Sequence, residues 1–293
     1  ICVGTSTNLL PNSGGTWESS NISIATISNT GVVTGNQQGT VFGIFTDATT
    51  GCESEQSVDI IVEPKPSAKI QGDNIICQGE TTQLSPSTGG SWTSQNNNVA
   101  TISSSGLVTG NNQGLTKFIF TSDAGCSSNA SAPVIVNSKP DIQLPQSVLC
   151  LGETLQLQPA QNGNWISSDT SVATVNMSGQ VSGITSGFAN FSFEDTNTGC
   201  TSDPSEFLEI AEKPSITLIG NDSICIGNSI AQNEVDLDVF CYDNSVSNPY
   251  NTIRWEMGDG TVFNDSTEFS YSYTAAGNYN IELYTEDLGG CID

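Results

Sequence analysis

The 293-residue sequence predicts an all-β protein made of tandem β-sandwiches. Three observations lead to this fold class. One phrase recurs three times, short alternating runs are separated by Gly, Asn and Ser every 8 to 12 residues, and no stretch has a convincing apolar period of 3.6 residues. Short strands between regular turn signals are typical of sandwiches and barrels. Helix is therefore expected to be nearly absent.

The recurring phrase marks an internal repeat. Its copies are IATISNTGVVTG at 24–35, NVATISSSGLVTG at 98–110 and VATVNMSGQVSG at 172–183. Tryptophans keep the same spacing, 75 and 73 residues, at Trp17, Trp92 and Trp165. A repeated unit of this length is usually a repeated fold rather than a repeated active site.

Proline-containing joints separate the repeats, with the sequences EPKPS, NSKPD and AEKPS. The predicted domains are 1–63, 64–138, 139–212 and 213–293. Proline restricts its own backbone and that of its predecessor, so short semi-rigid joints and end-to-end packing are expected. Each sandwich is then roughly 35 to 40 Å long, and the elongated rod roughly 150 Å. The first domain lacks the strand that precedes Cys-x-Gly in the others, which indicates a truncated copy in a piece of a longer exported protein.

The phrase itself is predicted to be a β-hairpin. In the second copy, Ala100 and Ile102 alternate toward a core and SSSG forms the turn. Gly31, Gly106 and Gly179 share one turn position, where glycine adopts a positive φ without a Cβ penalty. The alternative, a phosphate-cradling loop, needs a following helix and usually a lysine. The other strands predicted for this repeat are ETTQLSP, SWTS, TKFIFTS and SAPVIVN.

Nine cysteines indicate a disulfide framework and an oxidising compartment outside the cytosol. Each early Cys-x-Gly is followed about 50 residues later by Thr-Gly-Cys or Ala-Gly-Cys, which predicts one disulfide within each domain. The predicted pairs are Cys2 with Cys52, Cys77 with Cys126, and Cys150 with Cys200. Closing a loop of about 50 residues removes about 4 kcal/mol of chain entropy from the unfolded state in the simple model.

The last domain has three cysteines. Repeat register pairs Cys225 with Cys291 and leaves Cys241 as a buried free thiol in the strand VDLDVFCYD. Spacing alone also permits a bond between Cys241 and Cys291, which are again 50 residues apart. We prefer the pairing by register, because it repeats the order of the other three domains.

The chain is strongly acidic, with 31 acidic and six basic residues and a formal net charge of -25. By domain the charges are −6, 0, −8 and −11. Such a surface repels phosphate backbones, and no basic patch is present to release counterions, so the sequence argues against nucleic acid as a partner. The sequence also has no run of 18 apolar residues of the kind that spans a membrane.

Catalysis is not expected. Histidine is absent, which removes Ser-His and Cys-His nucleophile activation and the commonest metal ligand. Two carboxylates would suffice for glycoside hydrolysis, but the acids are scattered over outward strand positions and loops, as on a solvated surface. No cofactor or metal is assigned. Calcium is the one alternative, at Asp236 and Asp238 with Asp243 or Asp259, although no D-x-D-x-D-G loop is present.

Two family resemblances support the sandwich prediction. The segment GSWTSQNNNVATISSSGLVTGNNQGLTKFIFTS resembles the bacterial immunoglobulin-like domain of group 2, and the resemblance extends in three copies over residues 1–212. The segment IRWEMGDGTVFNDSTEFSYSYTAAGNYNIELYTED, at 253–287, resembles the PKD domain, another surface immunoglobulin-like sandwich. Met257, Phe269 and Tyr271 depart from that family's usual residues, which changes packing but not the expected fold.

The resemblances also imply where aromatic residues lie. Four tryptophans are expected in the cores, namely Trp17, Trp92, Trp165 and Trp255. All six tyrosines lie in the fourth domain, where Tyr273 and Tyr279 match the PKD motif and are expected to be structural. The remaining four form a candidate exposed ligand patch, which consists of Tyr242, Tyr250, Tyr271 and Tyr284.

Tandem cysteine-stapled copies of these two domain types are similar to the giant cell-surface adhesins of Bacteroidota, in particular the SprB-type gliding-motility adhesins. The resemblance implies a monomeric, non-catalytic stalk fragment, type IX secretion, and an extracellular location at the outer membrane. Implied partners are the cell-surface motility machinery and, through other parts of the protein, external surfaces or polysaccharide. The alternative is a carbohydrate-binding accessory region of a secreted polysaccharide-degrading enzyme.

Overall fold

A computed structural model describes most of the chain. The described residues are 1–213, 216–219, 236–243, 250–265, 268–273, 278–287 and 290–292. Within them every regular element is a β-strand, which confirms the predicted all-β class. No helix in these ranges has the length and apolarity needed to cross a membrane. The chain forms two compact units, Ile1–Lys139 and Pro140–Asp293.

The first unit begins with seven strands of the first repeat. They are β1 (Ser6–Asn8), β2 (Gly15–Ser19), β3 (Ala25–Ile27), β4 (Val32–Gly35), β5 (Gly39–Val41), β6 (Gly43–Asp47) and β7 (Ile60–Val62). The hydrogen-bonded orders are β1-β4-β3, β2-β6 and β5-β7, all antiparallel. Alternate residues point inward, so Ala25, Val33 and Val41 pack in one buried cluster.

The second repeat completes this unit with nine strands. They are β8 (Lys69–Ile70), β9 (Ile75–Cys77), β10 (Thr81–Ser85), β11 (Gly90–Ser94), β12 (Ala100–Ile102), β13 (Leu107–Gly110), β14 (Gly114–Thr116), β15 (Phe118–Ser122) and β16 (Val134–Asn137). The sheets are β12-β13-β10-β8, β11-β15 and β14-β16-β9. The pair β9 and β16 is parallel, which places the strand before the Cys-x-Gly turn beside the last strand of the repeat.

The second unit begins with the third repeat, whose strands are arranged like those of the second repeat. The strands of the third repeat are β17 (Val148–Cys150), β18 (Thr154–Gln156), β19 (Gly163–Ser167), β20 (Ala173–Val175), β21 (Gln180–Gly183), β22 (Gly187–Ala189), β23 (Phe191–Asp195) and β24 (Leu208–Ala211). They form the sheets β18-β21-β20, β19-β23 and β17-β24-β22. The same connectivity as in the second repeat follows from the same order of apolar and turn residues.

The last segment has a different strand pattern. Its described strands are β25 (Ile216–Ile219), β26 (Asp236–Asp243), β27 (Tyr250–Glu256), β28 (Val262–Asn264), β29 (Glu268–Ser272) and β30 (Glu282–Asp287). They pair as β25-β26-β29 and β28-β27-β30. Ile253, Trp255 and Met257 form its buried core, with Tyr273 packed against them.

The recurring phrase is the predicted hairpin. Ala100 lies opposite Gly110 and Ile102 opposite Val108 in the β12–β13 pair. Gly106 turns the chain with φ +82°, and a Cβ there would lie 2.5 Å from the carbonyl oxygen of Leu84. Glycine is therefore required at this position for two reasons: only glycine adopts this backbone angle without a penalty, and there is no space for a Cβ atom.

The repeat tryptophans are buried, as predicted. Trp92 lies opposite Phe120 across β11 and β15, with ring centroids 5.2 Å apart. Its indole Nε1–H donates to the carbonyl oxygen of Pro86 at 2.9 Å, which satisfies the polar end of the ring. Trp17 and Trp165 make the same two kinds of contact, and Trp255 is fully buried.

The two cysteines of one repeat lie at opposite ends of its sandwich. In the second repeat, Cys77 lies opposite Asn137, at the end of the sheet where β14 begins with Gly114. The chain then continues through β15 to Ser122, whose N–H donates to the carbonyl oxygen of Cys126. These eight residue steps span roughly 26 Å, whereas a disulfide needs Cα atoms about 4.4 to 6.8 Å apart.

The predicted disulfides within the first two repeats are therefore wrong. Cys2 bonds Cys126 of the next repeat, with Cα atoms 5.6 Å apart. Cys52 is an exposed free thiol. Cys77 is also disulfide-bonded, but its predicted partner Cys126 is already occupied by Cys2.

The second unit requires the same correction. Cys150 bonds Cys291, with Cα atoms 5.5 Å apart, so the predicted bond of Cys150 with Cys200 is wrong. Cys200 is disulfide-bonded nonetheless. Both pairings considered for Cys291, with Cys225 by register and with Cys241 by spacing, are wrong as well. Cys225 and the side chain of Cys241 lie outside the described residues, so the free thiol predicted at Cys241 stays a prediction.

Candidate functional site: the disulfide-bonded turns

In each repeat we call the cysteine of the Cys-x-Gly turn the early cysteine and the cysteine of the later Gly-Cys sequence the late cysteine. Hydrogen bonds of the Cys-x-Gly turn hold the early cysteine in place. The carbonyl oxygen of Cys2 accepts hydrogen bonds from the N–H and the hydroxyl of Thr5, both at 2.9 Å. Gly4 has φ +83°, the angle that this position of a type II turn requires. Val3 N–H donates to the carbonyl oxygen of Glu63 at 2.9 Å, which holds the turn against the end of the repeat's last strand.

The later copies of this turn have the same geometry. Glu80 N–H donates to the carbonyl oxygen of Cys77, and Glu153 N–H donates to that of Cys150, both at 2.9 Å. The glycines of these turns have φ +85° and +87°. The Cys-x-Gly motif is thus a rigid turn that fixes the direction of its cysteine.

The late cysteine follows a second type of turn. In the second repeat, Ser122 N–H donates to the carbonyl oxygen of Cys126 at 2.9 Å, and Cys126 N–H donates back to the Ser122 hydroxyl at 3.2 Å. Gly125 closes the turn with φ +81°. Hydrogen bonds on both sides of the cysteine hold it at the end of β15, directed away from its own Cys-x-Gly turn.

An aspartate replaces the serine in the first repeat. Asp47 Oδ1 accepts hydrogen bonds from the N–H groups of Thr49 and Thr50, at 2.9 and 2.8 Å, and from the Thr50 hydroxyl at 3.0 Å. The backbone hydrogen bond from Thr50, followed by its hydroxyl and the Thr49 N–H, lowers the pKa of Asp47 below its ordinary 3.8. Asp47 N–H donates to the Cys52 carbonyl oxygen at 3.0 Å, so the closing hydrogen bond seen at Cys126 is kept although this turn is one residue longer.

Most cysteines of the two described bonds are buried, whereas Cys2 is only half-buried. Cys126 and Cys291 are completely buried, and Cys150 is buried with Ala211 in one cluster that includes Cys291. A buried disulfide is reached poorly by thiols, since exchange requires access to a sulfur atom. The two turns therefore form a covalent junction: the early cysteine of one repeat bonds the late cysteine of the next, in the pairs Cys2–Cys126 and Cys150–Cys291.

Tyr271 of the candidate ligand patch is engaged in internal contacts. Its hydroxyl donates to Asp259 Oδ2 at 2.6 Å and lies 2.7 Å from the Thr261 hydroxyl. Its ring packs edge-on against Phe263 and Tyr273, with centroids 5.6 and 5.0 Å away. The hydrogen bond to Asp259 raises the pKa of Tyr271 and is also the main reason why the pKa of Asp259 is lowered.

Tyr284 is the exposed aromatic residue that the structure places on this surface, with 37% of its area accessible. The Arg254 guanidinium lies over its ring, 5.5 Å from the centroid, and also forms an ion pair with Glu256. The Tyr284 hydroxyl donates to Glu282, and this hydrogen bond raises the pKa of Tyr284. The side chains of Tyr242 and Tyr250 lie outside the described residues.

The acidic positions considered for calcium are only partly described. Asp259 binds Tyr271 and Thr261, and the side chains of Asp236, Asp238 and Asp243 lie outside the described residues. Among the residues that the structure describes, no group of three or more Cys, Asp or Glu side chains is placed to hold a metal ion.

The strand order, the paired sheets and the buried tryptophans define the class of protein: tandem immunoglobulin-like β-sandwiches. Two family models match the sequence. The bacterial Ig-like domain of group 2 matches residues 6–51 and 59–132, and the PKD domain matches residues 211–293. The fold is therefore that of tandem immunoglobulin-like β-sandwiches, with bacterial Ig-like matches in the first two repeats and a PKD match in the last. None of the curated proteins compared with the chain matches it.

Solved structures with the same general fold include three bacterial surface proteins. The C-terminal fragment of intimin, in complex with the intimin-binding domain of its translocated receptor, is 13% identical with a TM-score of 0.29 over 47% of this chain and 57% of that chain. Invasin, described as a bacterial integrin-binding protein, is 15% identical with a TM-score of 0.34 over 72% and 55%. The S-layer protein SbsC is 14% identical with a TM-score of 0.25 over 98% and 53%.

The chain spans little more than half the length of these three structures. At such identities and TM-scores the likeness is one of fold alone, and it carries no argument about what this chain binds.

Proposed function

We propose that this chain is a non-catalytic, tension-bearing stalk segment of a large exported cell-surface adhesin that serves surface attachment and gliding motility. The observation that supports the proposal most directly is the bond between Cys2 and Cys126, which joins one repeat to the next instead of closing a loop within a repeat. Such a bond resists the separation of neighbouring repeats, which is what a stalk under tension requires.

The disulfides shorten the covalent path that carries force along the chain. Under tension, the Cys2–Cys126 bond removes the intervening residues from the load path, and the Cys150–Cys291 bond does the same. Between these bonds only residues 127–149 need to carry force through the backbone. Fully extended, that segment spans roughly 80 Å, whereas the whole chain would span roughly 1,000 Å.

The location of the bonds also suits an exposed surface. Cys126 and Cys291 are completely buried, so external thiols reach them poorly. The sequence is rich in Ser, Thr, Asn and Gly with only 13% charged residues, and the absence of histidine supports a structural role rather than catalysis. Export by type IX secretion and association with the outer membrane and the motility machinery are part of the proposal.

A force-extension measurement on the chain, held by its two termini, tests the mechanical role. With the disulfides intact we expect a maximum contour length of about 100 Å, and after reduction about 1,000 Å. Bonds within each domain would instead leave about 300 Å of contour, because only the loops between the four predicted cysteine pairs would be hidden. A contour of this intermediate length in the oxidised chain would overturn the stalk mechanism.

The attachment role is tested in cells by replacing Cys2 and Cys126 together with serine in the full-length protein. We expect normal export and surface display but loss of attachment under shear flow, with gliding speed reduced on the same surface. Thr93→Ser, at an exposed position of β11 far from either cysteine turn, is the control and should leave attachment unchanged. Undiminished attachment of the double variant under shear would contradict the role in tension.

The second candidate, a carbohydrate-binding accessory region, is favoured by one observation: the Tyr284 ring is exposed and lies against Arg254. The side chains of Tyr242 and Tyr250 lie outside the described residues, and Tyr271 is turned to internal partners. Titration with soluble polysaccharides, comparing the chain with its Tyr284→Ala variant, decides between the candidates. Saturable binding that this variant abolishes would favour the accessory region.

A further inference from the structure

Cys52 lies at the position of the late cysteine in the first repeat, but it forms no disulfide. It follows Thr-Gly at the end of β6, as Cys126 follows Ala-Gly at the end of β15. The other late cysteines, Cys126, Cys200 and Cys291, are all disulfide-bonded. Among the described residues Cys52 is the free and exposed member of this series.

The turn that carries Cys52 is already in the bonding geometry. Its carbonyl oxygen accepts the Asp47 N–H at 3.0 Å, and the corresponding distance is 2.9 Å at Cys126. The glycine before the cysteine has φ +66° at Gly51 and +81° at Gly125. Thr46 bridges Glu53 across this turn, as Thr121 bridges Ser127 in the second repeat. The position is therefore pre-organised, and a partner would need no refolding of this turn.

The bond formed by Cys126 defines the partner that fits. Cys126 binds Cys2, which stands in a Cys-x-Gly turn beside the end of the last strand of the preceding repeat. Cys291 likewise binds Cys150, in the Cys-x-Gly turn of the repeat before it. In both described bonds the late cysteine receives the early cysteine of the repeat that precedes it in the chain.

We propose that Cys52 is a covalent docking site for the Cys-x-Gly cysteine of an immunoglobulin-like repeat on the N-terminal side of Ile1 in the same polypeptide. The end of the first sandwich that carries Cys52 then packs against that repeat, as the corresponding end of the second repeat packs against the first. This bond would add one more disulfide of the kind seen in Cys2–Cys126 and Cys150–Cys291. The proposal does not depend on whether the stalk serves adhesion.

The bond forms by thiol–disulfide exchange in the oxidising compartment. A low-molecular-weight disulfide or a disulfide oxidoreductase first makes a mixed disulfide with one of the two cysteines and releases one thiol. The thiolate of the other cysteine then attacks the bonded protein sulfur and expels the second thiol. Two protein thiols are thereby oxidised to one disulfide, and the small disulfide is reduced to two thiols.

Disulfide mapping of the full-length polypeptide tests the site. Thiols are alkylated under denaturing, non-reducing conditions, and the protein is digested without reduction. The Cys52 peptide is expected with the mass of a Cys-x-Gly peptide added and two hydrogen atoms lost, and that partner should map before Ile1. An alkylated Cys52, or a link to a second copy of the chain or to an unrelated protein, overturns the proposal.

A pair of matched variants makes the result independent of folding defects elsewhere. Cys126→Ser should make Cys2 available to alkylation, because it removes the known partner. Cys52→Ser should in the same way release one Cys-x-Gly cysteine before Ile1 while Cys2 stays protected. Release of no further thiol by Cys52→Ser would overturn the site. The force-extension result depends on Cys2–Cys126 and Cys150–Cys291, so it would be unchanged.

Discussion

The Cα atoms of Cys2 and Cys126 lie 5.6 Å apart although 124 residues separate them, and the bond between them joins two consecutive sandwiches. In the second repeat the early cysteine lies beside the last strand and the late cysteine at the opposite end. Within each compact unit, the early cysteine of one sandwich bonds the late cysteine of the next. Both described bonds therefore join two sandwiches rather than close a loop within one.

Removal of the first junction bond should destabilise the two repeats it joins. Closing a loop of 124 residues stabilises the folded state by about 5 kcal/mol in the chain-entropy model. The variant in which Cys2 and Cys126 are both serine should lose up to this amount in free energy of unfolding. Denaturant-dependent hydrogen exchange at the amides of β2 and β11 measures both repeats. Cys52→Ser is the control and should change little; an equal loss there would refute the assignment.

Gly106→Ala should cost more stability than Gly89→Ala, although both glycines have nearly the same φ, +82° and +81°. Each substitution places alanine in a left-handed conformation, at about 1 to 2 kcal/mol. At Gly106 the new Cβ would also lie 2.5 Å from the Leu84 carbonyl oxygen, whereas at Gly89 nothing lies within 4 Å. Urea unfolding of both variants gives the difference. Equal losses would show that space at the hairpin turn is unimportant.

Trp92→Phe should destabilise the second repeat by about 2 to 4 kcal/mol, because it removes buried ring volume and leaves a partly buried carbonyl without its donor. The lost hydrogen bond is the one from Trp92 Nε1 to the Pro86 carbonyl oxygen. Thr93→Ser, at the exposed neighbouring position on β11, is the control and should stay within about 0.5 kcal/mol. Chemical denaturation followed by circular dichroism measures both. A tryptophan that tolerated this change would not be a core residue.

Tyr271→Phe should raise the pKa of Asp259 toward its ordinary 3.8, because the Tyr271 hydroxyl is the main cause of the lowered value. A lowered carboxyl pKa stabilises the fold above the unfolded pKa, and this contribution is lost as pH falls through the folded pKa. The variant should therefore lose stability at neutral pH and show a weaker acid dependence. Carboxyl carbon NMR measures the titration directly. Asp169, whose pKa is lowered by Ser171, is the internal control and should not move.

The sequence by itself determined the elements. The spacing of Trp17, Trp92 and Trp165, the hairpin phrase and the turn glycine at 106 predicted the repeated strands, their inward faces and the positive φ correctly. These features depend on local geometry, in which alternation places a side chain on one face and a turn accepts only certain residues. Strands, inward faces and turn angles can therefore be predicted without knowing how distant segments of the chain pack together.

Only the tertiary structure decided which cysteines bond. A spacing of 50 residues is equally compatible with closure within a domain and with two cysteines at opposite ends of a sandwich. The distinction depends on strand direction: Cys77 lies beside Asn137, and the chain from Gly114 to Ser122 runs away from it before reaching Cys126. A disulfide requires contact within a few ångströms, and contact is a property of the packed sheets, not of separation along the chain.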